Sequence, residues 1–153
     1  MRYIILGIQR RIWCHMTAAT VAVLAVFPLT LMALDRNDPV TIIRQSLSGD
    51  LRPLGHVRLE WEALTTRYCD GVVRSRIIGS NGVVHVYATR PTVIRPRSGE
   101  HSVYSFEFTL PGSLSPGPAR REAVVYYWCN PLQRFLNWPI TVNRETIHFV
   151  VEP

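Results

Sequence analysis

The chain has 153 residues, with 17 basic and 11 acidic side chains and a formal charge of +6, and every basic residue is an arginine. Without lysine it has no Schiff-base, P-loop-lysine or lysine-base chemistry. Residues 35–153 hold 14 arginines against 11 acids, an excess too mild and too scattered for a nucleic-acid-binding stripe, and no nucleic-acid partner is expected.

Residues 1–11 read as a short cytoplasmic segment made basic by Arg2, Arg10 and Arg11. From Ile12 to Leu34 no side chain carries a permanent charge. Met16–Leu34 alone would make a helix of about 28 Å, close to a hydrocarbon core of ~30 Å. A buried core helix should keep a polar face, and none is visible. A cleaved signal peptide usually has a shorter apolar region, about 7–15 residues, and a small-x-small exit. Here Leu31 stands three positions before any cut after Ala33. Residues 12–34 are therefore expected to remain as a signal-anchor helix whose partner is the lipid bilayer. Pro28 inside it is tolerable in a membrane. The basic entry and the Asp35-Arg36-Asn37-Asp38 exit predict a single-pass inner-membrane protein with the N-terminus cytoplasmic and the C-terminal part periplasmic or extracellular.

Beyond the anchor, apolar residues alternate. Residues 35–50 are expected to form a membrane-proximal segment, with a strand at Val40–Leu47. Residues 51–153 are expected to be one β-domain. In His56–Thr66, Val57, Leu59, Trp61 and Ala63 share one face and Arg58, Glu60 and Glu62 the other, which is strand periodicity. Asp70-Gly71 reads as a turn. Val72–Ile78 and Val83–Ala88 flank Gly79-Ser80-Asn81-Gly82, a hairpin signal because Asn-Gly tolerates positive φ. Thr92–Arg95, between Pro91 and Pro96, reads as an edge strand. Val103–Leu110, Ala119–Cys129 and Thr146–Val151 complete the set, with a Pro/Gly-rich crossover at residues 110–118 where the chain would change sheets. Short strands with this punctuation predict an all-β fold, a single antiparallel sandwich behind one transmembrane helix.

Cys69 and Cys129 fall in the exported part, where an oxidising compartment permits a disulfide. Closing a loop of about 61 residues would stabilise the fold by roughly 4 kcal/mol in the chain-entropy model. Two buried thiols or a metal pair are the alternatives, and neither a CxxC nor further ligands support the metal. Tyr127-Trp128-Cys129 resembles the Tyr-x-Cys of immunoglobulin-like domains, over roughly residues 50–151. The resemblance implies that Tyr127 makes a corner and Cys129 bridges two sheets. Cys69 follows the Trp61 strand instead of preceding it, so a fibronectin-type or bacterial immunoglobulin-like sandwich fits as well. In overall style the chain resembles small single-anchor proteins of bacteria and their phages.

No catalytic residue, cofactor or metal site is assigned. There is no GxSxG and no HExxH, and Ser113 and Ser115 sit in the rigid crossover. Glu60 and Glu62 could form a carboxylate pair, yet Arg58 shares their face, as on a solvated strand. His85, His101 and His148 belong to separate strands. Arg74 and Arg76, like Arg95 and Arg97, could meet anionic headgroups, or be edge charges that deter aggregation. The residues 130–139 are the exception, ten positions carrying Leu132, Phe135, Leu136 and Trp138. They either fold back over the core or form an exposed aromatic-arginine patch, with Arg134 as its anchor group. Leu132, Arg134, Phe135, Leu136 and Trp138 are the expected partner-binding residues. The expected function is membrane-tethered, noncatalytic protein–protein interaction at the cell envelope, through an envelope protein or self-association. The alternatives are an envelope or virion structural component that oligomerises and an exported hydrolase or carbohydrate-binding domain.

Overall fold

A computed structural model describes residues 2–94 and 101–153; the side chains of residues 2–12, 14 and 18 are outside the description. Arg95 and Arg97 therefore lie outside it. The chain divides into two compact units, residues 1–36 and 37–153.

The first unit is one helix, α1 (Arg2–Leu34), continuous through Pro28. His15–Leu34 is long and apolar enough to cross a membrane by length and composition, with a mean hydropathy of 2.1. Three of its hydroxyls are satisfied internally: those of Thr17, Thr20 and Thr30 donate to the carbonyls of Trp13, Met16 and Val26, each at 2.9 Å. Such back-bonding keeps a hydroxyl from competing for water, which a lipid environment would require.

The second unit is mostly antiparallel β-structure. Its strands among the described residues are β1 (Val40–Gly49), β2 (His56–Thr65), β3 (Cys69–Ile78), β4 (Val84–Val86), β5 (Arg90–Ile94), β6 (Ser102–Thr109), β7 (Gly117–Trp128), β8 (Ile140–Asn143) and β9 (Ile147–Val151), with a short helix α2 (Pro131–Phe135). One sheet has the order β1-β2-β6. The other runs β4-β3-β7-β8, with β5 also on β3 and β9 also on β7. The crossover at 110–118 does carry the chain from one sheet to the other, with Leu110 and Leu114 buried beneath it. The Asn-Gly hairpin forms as well: Gly82 takes φ +76°, and Asn81 accepts a hydrogen bond from the Val83 N–H.

Three expectations need correction. The segment 35–50 is not a separate membrane-proximal piece. The compact unit begins at Asn37, because β1 pairs along its length with β2 from Val40↔Thr65 to Gly49↔Val57. Asp70-Gly71 is not a turn but the start of β3, opposite Tyr127 and Trp128 of β7. Glycine is needed there because a Cβ at Gly71 would stand 2.9 Å from the Tyr127 ring. Finally, the expected strands Ala119–Cys129 and Thr146–Val151 are not consecutive, because residues 130–139 do not run on to the second of them. They lead into β8, four residues too short for a clear alternation.

The core lies in two clusters, each built from both sheets. One gathers Val57, Leu59, Ile77, Phe108, Leu110, Leu114, Ala119 and Val151. The other gathers Val40, Ala63, Cys69, Ile94, Val125, Tyr127 and Ile140. Trp61 packs against both. At the waist between them is a cavity of about 440 Å³, walled by residues of both sheets.

Candidate functional site

The most exposed apolar group of the β-unit is in the 130–139 connection, which is tightly built. Asn130 caps α2, its side chain accepting from the Gln133 N–H at 2.9 Å, and Pro131 begins the helix. Both are favoured at those positions. Gln133 is buried, and its Oε1 accepts the Cys129 N–H at 2.8 Å, joining the turn to the end of β7. The exit is closed by Leu136 N–H to Leu132 O at 3.0 Å and Trp138 N–H to Gln133 O at 2.9 Å, with Asn137 at φ +48° between them.

This scaffold turns Phe135 (86% exposed), Leu136 (52%) and Trp138 (51%) outward. Of the four large apolar groups only Leu132 is half-buried, so the fold-back reading fails and the exposed-patch reading holds for the other three. The reason is Gln133: a polar residue fills the inward position and satisfies the backbone there, leaving its apolar neighbours outside. Arg134 is not a free anchor group. It forms an ion pair with Asp70 of β3, tying the turn to the neighbouring strand.

Cys69 and Cys129 meet, their sulfurs 2.05 Å apart. They flank the Asp70↔Trp128 pair of β3 and β7, so the link lies within one sheet, not between two as the immunoglobulin resemblance implies. Tyr127 also behaves differently from a corner tyrosine. Its buried hydroxyl accepts from Arg144 Nη2 at 2.7 Å. Arg144 in turn holds Asp38 through two contacts of 2.7 and 3.1 Å and the Val40 carbonyl at 3.1 Å. Burial lowers the Arg144 pKa, but the bonds to Asp38 and Tyr127 outweigh it and the net shift is upward. This arginine fastens the start of β1 to β7.

The other sequence candidates are dispersed. Glu60 pairs with Arg58 at 2.8 Å and Glu62 with His101 at 2.9 Å. His85 is on β4, at one side of the larger sheet, and His148 on β9, at the other. Among the described residues no group of three His, Cys, Asp or Glu side chains could hold a metal ion. Ser115 is engaged by the Asn81 amide at 3.0 Å. Arg76 pairs with Glu122, and Arg74 lies over the Tyr126 ring at 5.3 Å.

One residue with no assigned role in the sequence stands out in the structure. Arg121 occupies an inward position of β7, between Ala119 and Ala123, and is 8% exposed. Its Nε finds no hydrogen-bond partner among the described residues. The signal was available: positions 119, 121, 123, 125 and 127 share a face, and one of the five is charged.

No protein-family model and no curated protein matches the chain. Among solved structures, β-glucosidase from Listeria innocua in complex with glucose aligns at 13% identity with a TM-score of 0.38, covering 74% of this chain and 16% of that one. The D270A mutant of that enzyme, in complex with laminaribiose, aligns at 14% identity with a TM-score of 0.34, over 72% of this chain and 16% of that one. The chain thus spans about 16% of the enzyme it matches, and a likeness at these values carries no argument.

Proposed function

We propose that the chain is a membrane-tethered interaction module: α1 anchors it in the cytoplasmic membrane, and an immunoglobulin-like β-sandwich on the outer side presents the Phe135–Trp138 turn to a protein partner in the envelope. The observation that carries the reading is that patch, three large apolar groups turned outward on a turn fixed by a cap, a buried glutamine and an ion pair. A rigid scaffold spares the partner the cost of ordering the contact, and aromatic groups dominate interface energetics. Two further observations support it. Both core clusters draw on both sheets, as in a sandwich. The large apolar side chains described on His15–Leu34 are exposed to solvent, a surface that calls for lipid. Tethering raises the effective concentration near other membrane-bound proteins, so a small contact suffices.

The test is site-specific photocrosslinking in native membranes, with the crosslinker at Leu136. A discrete heteromeric adduct lost in Phe135→Ala/Trp138→Ala, with thermal stability unchanged, is the expected result. An adduct that persists in the double variant contradicts the site. An adduct with a second copy of the chain replaces the heteromeric reading with the oligomerising one.

A further inference from the structure

The waist cavity has the makings of a binding site unrelated to the Phe135–Trp138 turn. Its volume, about 440 Å³, falls within the ~300–1,000 Å³ typical of small-molecule sites. On the smaller sheet its wall carries three aromatic rings beside Leu59 and Ile42: Trp61 and Tyr104, which stack with centroids 5.8 Å apart, and Phe106. On the larger sheet the wall includes Ser75 and Ala123, opposite each other in register on β3 and β7, between Val73 and Val125 on one side and Arg121 on the other. Two small side chains at the same level of neighbouring strands leave the gap that separates the core clusters.

Into this gap the fold places Arg121. A buried cation ordinarily has a carboxylate beside it, because desolvating an unpaired charge costs several kcal/mol. Arg144, lining the same cavity, follows that rule through Asp38. Arg121 forms no ion pair with any described residue; its guanidinium lies 5.7 Å from the Phe108 ring centre, and its Nε is unpartnered. Burial pulls its pKa below the ordinary arginine value, opposed only in part by the nearby Tyr87. A second guanidinium, that of Arg90, lies on the Phe106 ring at 4.3 Å and also lines the cavity. Glu145, the acid on the cavity wall, is bonded to the Gln45 amide at 3.3 Å.

We propose that this cavity binds a small, flat, apolar monocarboxylate, with Arg121 as its counter-ion. The carboxylate would supply the acceptors that Arg121 lacks, and guanidinium–carboxylate pairing is the strongest hydrogen-bonded contact available to it. The apolar body would lie against the Trp61 and Tyr104 rings, because Arg90 already covers the Phe106 face. Neutral molecules of the same shape would leave the buried charge unpaired and bind more weakly.

The test is calorimetric titration of the full chain in zwitterionic nanodiscs with 2-naphthoate and its neutral isostere 2-naphthamide. Saturable binding of naphthoate at one site is expected, with naphthamide at least about 10-fold weaker. Arg121→Met should abolish the preference for the anion. Ala123→Leu, which keeps the arginine and fills the gap, should abolish binding of both, and circular dichroism with thermal melting confirms that each variant is folded. Phe135→Ala/Trp138→Ala should bind naphthoate as the parent does. Equal binding of the two probes, no saturable binding, or naphthoate affinity unchanged by Arg121→Met would each overturn the proposal.

Discussion

Two inward-facing arginines line the same cavity, and they are opposites. Arg144 is held on every side: by the Asp38 carboxylate, the Val40 carbonyl and the Tyr127 hydroxyl, beside the Cys69–Cys129 pair's own core cluster. Arg121 sits among aromatic rings with an unpartnered Nε. The first arrangement is what a buried charge needs in order to serve the fold; the second has no such explanation in the fold itself. A charged residue on an inner face is informative only once its partners are counted.

The contrast can be broken from the fastened end. Replacing Cys69 and Cys129 by Ala should cause the largest loss, about 4 kcal/mol by loop entropy, seen as a lower midpoint in denaturant. If the loss is under about 1 kcal/mol, the pair is not what secures that end. Asp38→Ala comes next. It strands Arg144, whose side chain is 13% exposed, and should cost about 2 kcal/mol; the value is below that for fully buried pairs because the Asp38 side chain is 34% exposed.

The waist should respond with the opposite sign. Arg121→Met removes an unpaired buried charge and keeps the bulk, so the melting temperature should hold or rise, by the equivalent of ~1 kcal/mol. A loss as large as that from Asp38→Ala would show that Arg121 serves the fold, and the comparison would collapse.

The smallest effect is one of pH. Burial, opposed in part by Arg144, raises the Tyr127 pKa above its ordinary 10.0. The unfolded tyrosine therefore ionises first. Stability from this group is complete below about pH 10 and is lost as pH rises through the folded value. Tyr87, raised by burial, acts in the same direction. Tyr127→Phe should flatten part of the alkaline decline in melting temperature; an unchanged slope would remove Tyr127 as a contributor.

How much of this could be read from sequence depended on the range of the interaction. Period-two alternation is local, so β2, β6, β7 and β9 were legible to within a residue or two, and so was the Asn-Gly hairpin. The β8 strand, Ile140–Asn143, was not, since four residues offer too short a pattern. Asp70-Gly71 looked like a turn because the reason for that glycine, the Tyr127 ring beside it, is 56 positions away in the chain. The loop's exposure turned on Gln133, whose inward placement follows from the Asn130 cap and from Cys129, not from composition. Arg121 was readable in principle from the face it shares with Ala119 and Ala123, but its lack of a partner was not, because that depends on both sheets.

Tethering requires α1 to stay in the membrane, and protease protection of the full chain in intact spheroplasts tests that requirement directly. Digestion of residues 37–153 without lysis, with a fragment containing residues 12–34 resisting carbonate extraction from the membrane, is the predicted result. A soluble chain, or a β-unit cleaved only after lysis, would contradict it.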